Sequence, residues 1–173
     1  DPTSRSRRIS ALVVEKGMDG FSIGKIEDKM GIRAIPVTET LFDNVRVPAD
    51  NLLGGREGAG FKQAMETLDH ARPGVAAQAL GLAQGSVDLA LHWSTRRVQF
   101  GAPISSKGQI QAKLAYLQSK VSAARYLVYA AARNIDAHAK NISLLAAQAK
   151  LFATNIAMEV TTDAVQIFGG YGF

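Results

Sequence analysis

Lys113-Leu114-Ala115-Tyr116-Leu117-Gln118-Ser119-Lys120-Val121-Ser122-Ala123-Ala124-Arg125-Tyr126-Leu127-Val128 is the stretch that decides the fold. Leu114, Leu117, Val121, Ala124 and Val128 recur at steps of three and four residues, which places them on one face of a helix. Downstream, Asn141 and Ser143 mark a break. Leu145, Ala149, Phe152, Ile156, Val160, Ala164 and Ile167 then form a second stripe, which Gly169-Gly170 stops. Upstream, Ser106-Lys107-Gly108-Gln109 has the S-x-x-Q pattern of a capping box, and Gly101 and Pro103 close the segment before it. That earlier segment, Ala59 to about Val98, reads as a helix interrupted at Pro73, where the ring removes a donor and clashes with the Asp69 carbonyl. Three long helices with short connections imply an antiparallel bundle.

Residues 1–52 have a different texture. Ile9 to Val14, Phe21 to Ile23 and Val37 to Leu41 are short β-like runs, and Val45 to Val47 continues the last until Pro48. So few strands cannot build a core of their own. The fold class is therefore α+β: a partial β-barrel or sheet domain over 1–52, then an incomplete α-helical bundle domain over 53–173. The opening at Asp1 and the stop at Phe173 directly after a glycine cluster suggest a piece of a larger protein.

Composition narrows the function classes. The 173 residues contain no cysteine, which excludes a disulfide framework, thiol catalysis and cysteine metal sites, and fits a reducing compartment. No apolar run approaches the roughly 20 residues of a membrane span, so no membrane insertion is expected. The formal charge is +5, and all of the excess lies beyond residue 50. A basic surface attracts phosphate-bearing partners. Here the charges are scattered among alanines, which argues against nucleic acid.

A few residues could carry chemistry. Asp69 and Arg72, three apart, share a helix face beside the proline, either as a surface ion pair or as a polar ligand site. Arg97 closes the first helix, where a cation complements the helix end or reaches a diphosphate. Phe100-Gly101 follows with an aromatic face and a close backbone approach. Gln166-Ile167-Phe168-Gly169-Gly170-Tyr171-Gly172 is either a glycine helix stop or a backbone cradle for oxygen atoms. His70, His92 and His138 are scattered without partners at metal spacing, and Arg5, Arg7 and Arg8 read as a solvated basic loop. Neither a nucleophile elbow nor a phosphate loop is present.

Four of these stretches, in order, resemble the acyl-CoA dehydrogenase family. Glu27 to Arg33 with Leu41 to Pro48 is similar to the end of its middle β-domain. Leu68 to Pro73 with Gln78 to Gln84 is similar to the first helix of its C-terminal domain. Arg97-Val98-Gln99-Phe100-Gly101 resembles its R-x-x-F-G flavin motif, and Gln166 to Gly172 its Q-x-x-G-G-x-G motif.

The resemblance implies FAD, an acyl-CoA substrate, and electron transfer to electron-transferring flavoprotein. A carboxylate takes the α-proton while the β-hydride passes to the flavin. It implies a homo-oligomer, a tetramer in which each FAD lies across a dimer interface, in the bacterial cytoplasm or the mitochondrial matrix. By position, Arg97 and Phe100 would meet the diphosphate and adenosine end of the neighbour's FAD. Gln166, Gly169 and Gly170 would line the adenosine side, and Asp69 and Arg72 would touch the CoA arm.

Three departures bear on this. Gly108 stands where the family has a glutamine on the flavin diphosphate, and Gln109 is the neighbouring substitute. Ile35 and Val37 replace hydroxyl residues. Ala71 stands where one branch of the family carries its catalytic glutamate, so the base is expected beyond Phe173, as in the short- and medium-chain branch. The chain by itself is expected to be inactive and to hold FAD poorly. An acyl-CoA oxidase or another flavoenzyme on this fold is the nearest alternative. A non-catalytic helical interaction module is a remoter one.

Overall fold

Alanine and unbranched side chains dominate the second part of the chain, and there the backbone is helical. In the computed structural model, which describes residues 9–173, α1 spans Gly60–Arg96, α2 Gly108–Asp136 and α3 Ile142–Phe168. Their buried faces follow the sequence periodicity. Leu117, Val121, Ala124 and Val128 are buried on α2, and Leu114 packs at the edge of the same cluster. On α3 the stripe holds except at Phe152, which is exposed while Ala153 takes the core position. The larger ring does not fit between closely spaced helices, and the alanine does.

Cross-helix pairs define the packing directions. Lys113 reaches Asp163 and Lys120 reaches Glu159, so α2 and α3 run in opposite directions. Asp69 is joined to Ser143 at the start of α3, and Trp93 stacks on Phe168 at its end, so α1 and α3 are parallel. The bundle is up-down-up. Its upper rim therefore collects the end of α1, the start of α2 and the end of α3. Among the described residues no helix is long and apolar enough to cross a membrane.

The proline does not end α1, and one expectation about a helix start fails. α1 carries on through Pro73 as one 37-residue helix. The ring removes a single donor, while Ala76 and Ala79 are buried just beyond it and the Asp69–Arg72 ion pair bridges its approach. The capping box at Ser106 does not form either. Ser106 ends a 3-10 turn over Ile104–Ser106 and donates back to the Pro103 carbonyl at 2.7 Å. Lys107 occupies the cap of α2 without a side-chain bond, and Gln111 rather than Gln109 donates to Ser105.

The chain divides into two compact units, Asp1–Met65 and Glu66–Phe173. In the first, β1 (Phe21–Ile26) pairs antiparallel with β2 (Thr38–Phe42), with a register shift between Ile23 and Ile26. Phe21 faces Phe42 across the ladder, with ring centroids 5.2 Å apart. Gly20 opens the hairpin at φ +81°, and a side chain there would collide with the Asp43 carbonyl. No closed barrel is present among the described residues.

The run Ile9 to Val14 is not a strand. Leu12 makes one isolated bridge to Leu52, and Leu53 donates to Ala11. Val45 to Val47 is not a strand either, because Asn44 turns the chain out of β2 at φ +51°. Arg5, Arg7 and Arg8 lie outside the described residues.

Leu117 is fully buried, so Leu117→Ala should cost about 2–5 kcal/mol, read as a lower urea midpoint. Lys120 is held above the usual lysine value by its hydrogen bond to Glu159 first and by Tyr116 second. A group whose value is raised on folding stabilises fully below its unfolded value and ceases to do so as pH climbs through the folded one. The stability difference between wild type and Lys120→Met should therefore be constant from neutral pH up to about 10 and shrink above 10.5, followed by denaturation across that range.

Candidate functional site

The rim of the bundle brings together residues that are far apart in sequence. Arg97 follows the last turn of α1. After it, β3 (Val98–Gln99) and β4 (Ala102–Pro103) form a minimal hairpin that the sequence reading missed, having run the helix to Val98. Its two-residue loop is Phe100-Gly101, with φ +51° and +77°. Positive φ at both central residues is what the tight I′ hairpin turn requires. Glycine accepts it freely, whereas a bulky aromatic residue does so only under strain. Phe100 is nevertheless 95% exposed, so nothing in the chain compensates that strain by packing. Strain without a packing reward points to a function for the ring.

Beside Phe100 a shallow cavity of about 540 Å³ runs along Ile104, Lys107, Gly108, Gln109 and Ile110. Failure of the capping box leaves the Gln109 side chain exposed on this wall. Gly108 has no atom within 4 Å of where a side chain would begin, so space on that wall is open.

The third contribution comes from α3. Gly169 caps the helix at φ +62° and ψ −136°, a conformation suited to glycine. Gly170 has no positive φ and no neighbour within 4 Å of a built side chain. Among the described residues nothing requires glycine at 170, and its backbone is open to close approach. Gln166 is exposed one turn earlier.

Arg97 joins the two halves of the rim. Its guanidinium lies 5.0 Å from the Tyr171 ring centre and 5.9 Å from that of Trp93. The sequence reading does not single out Trp93, and it takes Tyr171 only as part of the Gln166–Gly172 stretch, with no role of its own. Helical spacing could have found Trp93, since it sits one turn before Arg97. The Trp93 indole Nε1 is buried without a hydrogen-bond partner among the described residues. A guanidinium, an exposed ring and a bare glycine turn suit the anionic and aromatic end of a nucleotide cofactor.

Asp69 and Arg72 lie elsewhere. They form a half-buried ion pair, and Asp69 also accepts from Ser143 at 3.2 Å. This ties α1 to the start of α3, a structural task that leaves the remaining Arg72 donors available. At about 1.5 Å of rise per residue, Asp69 and Arg97 are on the order of 40 Å apart along α1. The sequence-derived residues therefore resolve into two sites. The His70 Nδ1 contacts the Glu66 carbonyl of its own helix at 2.8 Å.

Residues 58–173 match the family model described as acyl-CoA dehydrogenase, C-terminal domain. The chain is 49% identical over its whole length to the probable acyl-CoA dehydrogenase fadE25 of Mycobacterium leprae, of which it covers 44%. Among solved structures it is similar to butyryl-CoA dehydrogenase from Megasphaera elsdenii, with 48% identity and a TM-score of 0.95, covering 100% of this chain and 45% of that one. It also matches a chain in a structure described as the electron transferring flavoprotein of Acidaminococcus fermentans, with 53% identity and a TM-score of 0.94, covering 99% and 45%. The chain thus spans less than half the length of the relatives it matches.

Removing the strained ring should stabilise the hairpin. Phe100→Asn is expected to raise stability by about 1 kcal/mol, seen as a higher melting temperature, because asparagine tolerates positive φ.

Proposed function

The chain belongs to the acyl-CoA dehydrogenase family, and from that premise we propose that it grips the nucleotide ends in a longer FAD-dependent enzyme that converts an acyl-CoA thioester to the enoyl-CoA. Residues 1–52 would complete a middle β-domain and residues 53–173 begin the helical domain. The gathering of Arg97, Phe100, Gln109 and the Gly169-Gly170 turn at one rim, with Asp69 and Arg72 far along α1, carries the reading. Two separated nucleotide grips suit two different ligands.

In this reading Arg97 offers its fork to the FAD diphosphate, and Phe100 lies against the adenosine end. Gln109, Gln166, Gly169 and Gly170 supply amides and room around them. When bound, FAD supplies the hydride acceptor that the amino-acid side chains lack. Arg72 faces the CoA arm, its orientation set by Asp69. As the family resemblance implies, the flavin held at this rim would lie across a dimer interface and serve the neighbouring subunit of a tetramer.

The proton-removing carboxylate lies outside residues 1–173. This follows the family resemblance: Ala71 stands where one branch carries its catalytic glutamate and cannot take a proton, and the other branch carries its base in a later helix. Electron-transferring flavoprotein is the acceptor that fits the relatives' chemistry. A cytoplasmic or mitochondrial-matrix setting fits the absence of cysteine.

Mixing the full-length, flavin-loaded enzyme anaerobically with butyryl-CoA should bleach the flavin band, and electron-transferring flavoprotein should restore it. A protein that stays colourless, or a flavin indifferent to every thioester, would defeat the assignment. Oxygen uptake during turnover would instead identify an oxidase. Arg97→Ala should weaken FAD binding to the apoenzyme by roughly tenfold to a hundredfold, the range expected for a charge-assisted bond, measured by flavin fluorescence.

A further inference from the structure

Arg97 is anchored in an unusual way for a cation closing a helix. Among the described residues no carboxylate pairs with it. Instead its guanidinium sits 5.0 Å from the Tyr171 centroid and 5.9 Å from the Trp93 centroid. The Trp93 and Tyr171 rings are themselves 5.2 Å apart and tilted, and Trp93 stacks on Phe168 at 5.2 Å. A carboxylate partner would occupy the N–H edge of the guanidinium. Unlike a carboxylate, an aromatic ring takes no ion-pair fork from the guanidinium and so leaves that edge for a ligand.

We propose that Trp93 and Tyr171 are positioning residues whose rings hold the Arg97 guanidinium in one orientation, donors outward, and set it as a unit with the Gly169-Gly170 turn for a nucleotide diphosphate. Phe168, the last residue of α3, braces Trp93 from behind. Tyr171 immediately follows the two glycines, so the backbone turn and the arginine are placed by one side chain. This account rests on the reading of Arg97 as a diphosphate contact, and the test separates the two.

Tyr171 is 70% exposed, so its substitution leaves the core intact. In the full-length apoenzyme, Tyr171→Leu should weaken FAD binding by roughly threefold to thirtyfold, the range of a partly desolvated cation–π contact. Tyr171→Phe should retain affinity within about twofold, because it keeps the ring face. With Arg97→Ala already present, Tyr171→Leu should have no further effect, giving a non-additive cycle. Trp93→Phe should also retain affinity, since it removes the indole N–H and keeps a ring.

Additive losses in the cycle, or equal losses for Tyr171→Phe and Tyr171→Leu, would overturn the positioning role while leaving Arg97 as a contact. A loss in Trp93→Phe would overturn it too, by showing that the indole N–H meets the cofactor directly. An unchanged affinity in Arg97→Ala alone would overturn the diphosphate reading and the positioning role with it. Binding is read by quenching of flavin fluorescence, which does not depend on turnover.

Discussion

Close approach of three helices through a core of small side chains governs the helical unit. Ten of its eighteen buried hydrophobic residues are alanine. Alanine contributes little area per residue, so the stabilisation depends on many backbone-close contacts rather than on large interlocking groups. Such packing leaves little freedom for one helix to slide past another. The ends of the helices are consequently set relative to one another with the same stringency as the core.

That stringency matters at the rim. Arg97 and Tyr171 come from different helix ends, and their rings and charge meet only if α1 and α3 keep a fixed axial offset. The Asp69–Ser143 bond at one end and the Trp93–Phe168 stack at the other hold that offset. Lys113–Asp163 and Lys120–Glu159 do the same for the antiparallel pair along its length. Surface ion pairs of this kind add little stability each. Their value lies in reinforcing the direction and register that the close packing sets. A core built for position rather than for bulk is a reasonable support for a candidate site whose residues come from three separate helix ends.

The helices were legible because amphipathic spacing is a local property. Leu117, Val121, Ala124 and Val128 report their common face by recurrence alone, and the burial follows. Errors arose where tertiary context overrode a local rule. At Pro73 the helix continues, because the ring itself and Ala76 and Ala79 beyond it are buried and the Asp69–Arg72 pair braces the turn before it. Phe152 satisfied the period but not the available volume. Ser106 and Gln109 matched a capping pattern, but a preceding 3-10 turn placed the serine in the wrong conformation. In the first unit, Ile9 to Val14 and Val45 to Val47 have strand composition, but the first makes only an isolated bridge at Leu12–Leu52 with the flanking bonds to Asn51 and Leu53, and the second joins no ladder among the described residues.

The candidate site divides along the same line. The R-x-x-F-G and Q-x-x-G-G-x-G stretches, the basic excess of the helical part and the missing cysteines are matters of residue identity, and residue identity carried the family. Sequence also put Ala71 where one branch of the resembled family carries its base, and no fold can make a base of a methyl group. What only tertiary structure decided is spatial: that Phe100 stands strained and exposed in a hairpin, that Gln109 is free of any cap, that Asp69 is committed to Ser143, and that aromatic faces rather than a carboxylate hold Arg97. Those outcomes depend on contacts between residues up to about seventy-four positions apart, such as Asp69 and Ser143, and no local pattern encodes a contact whose two halves meet only after the helices have packed.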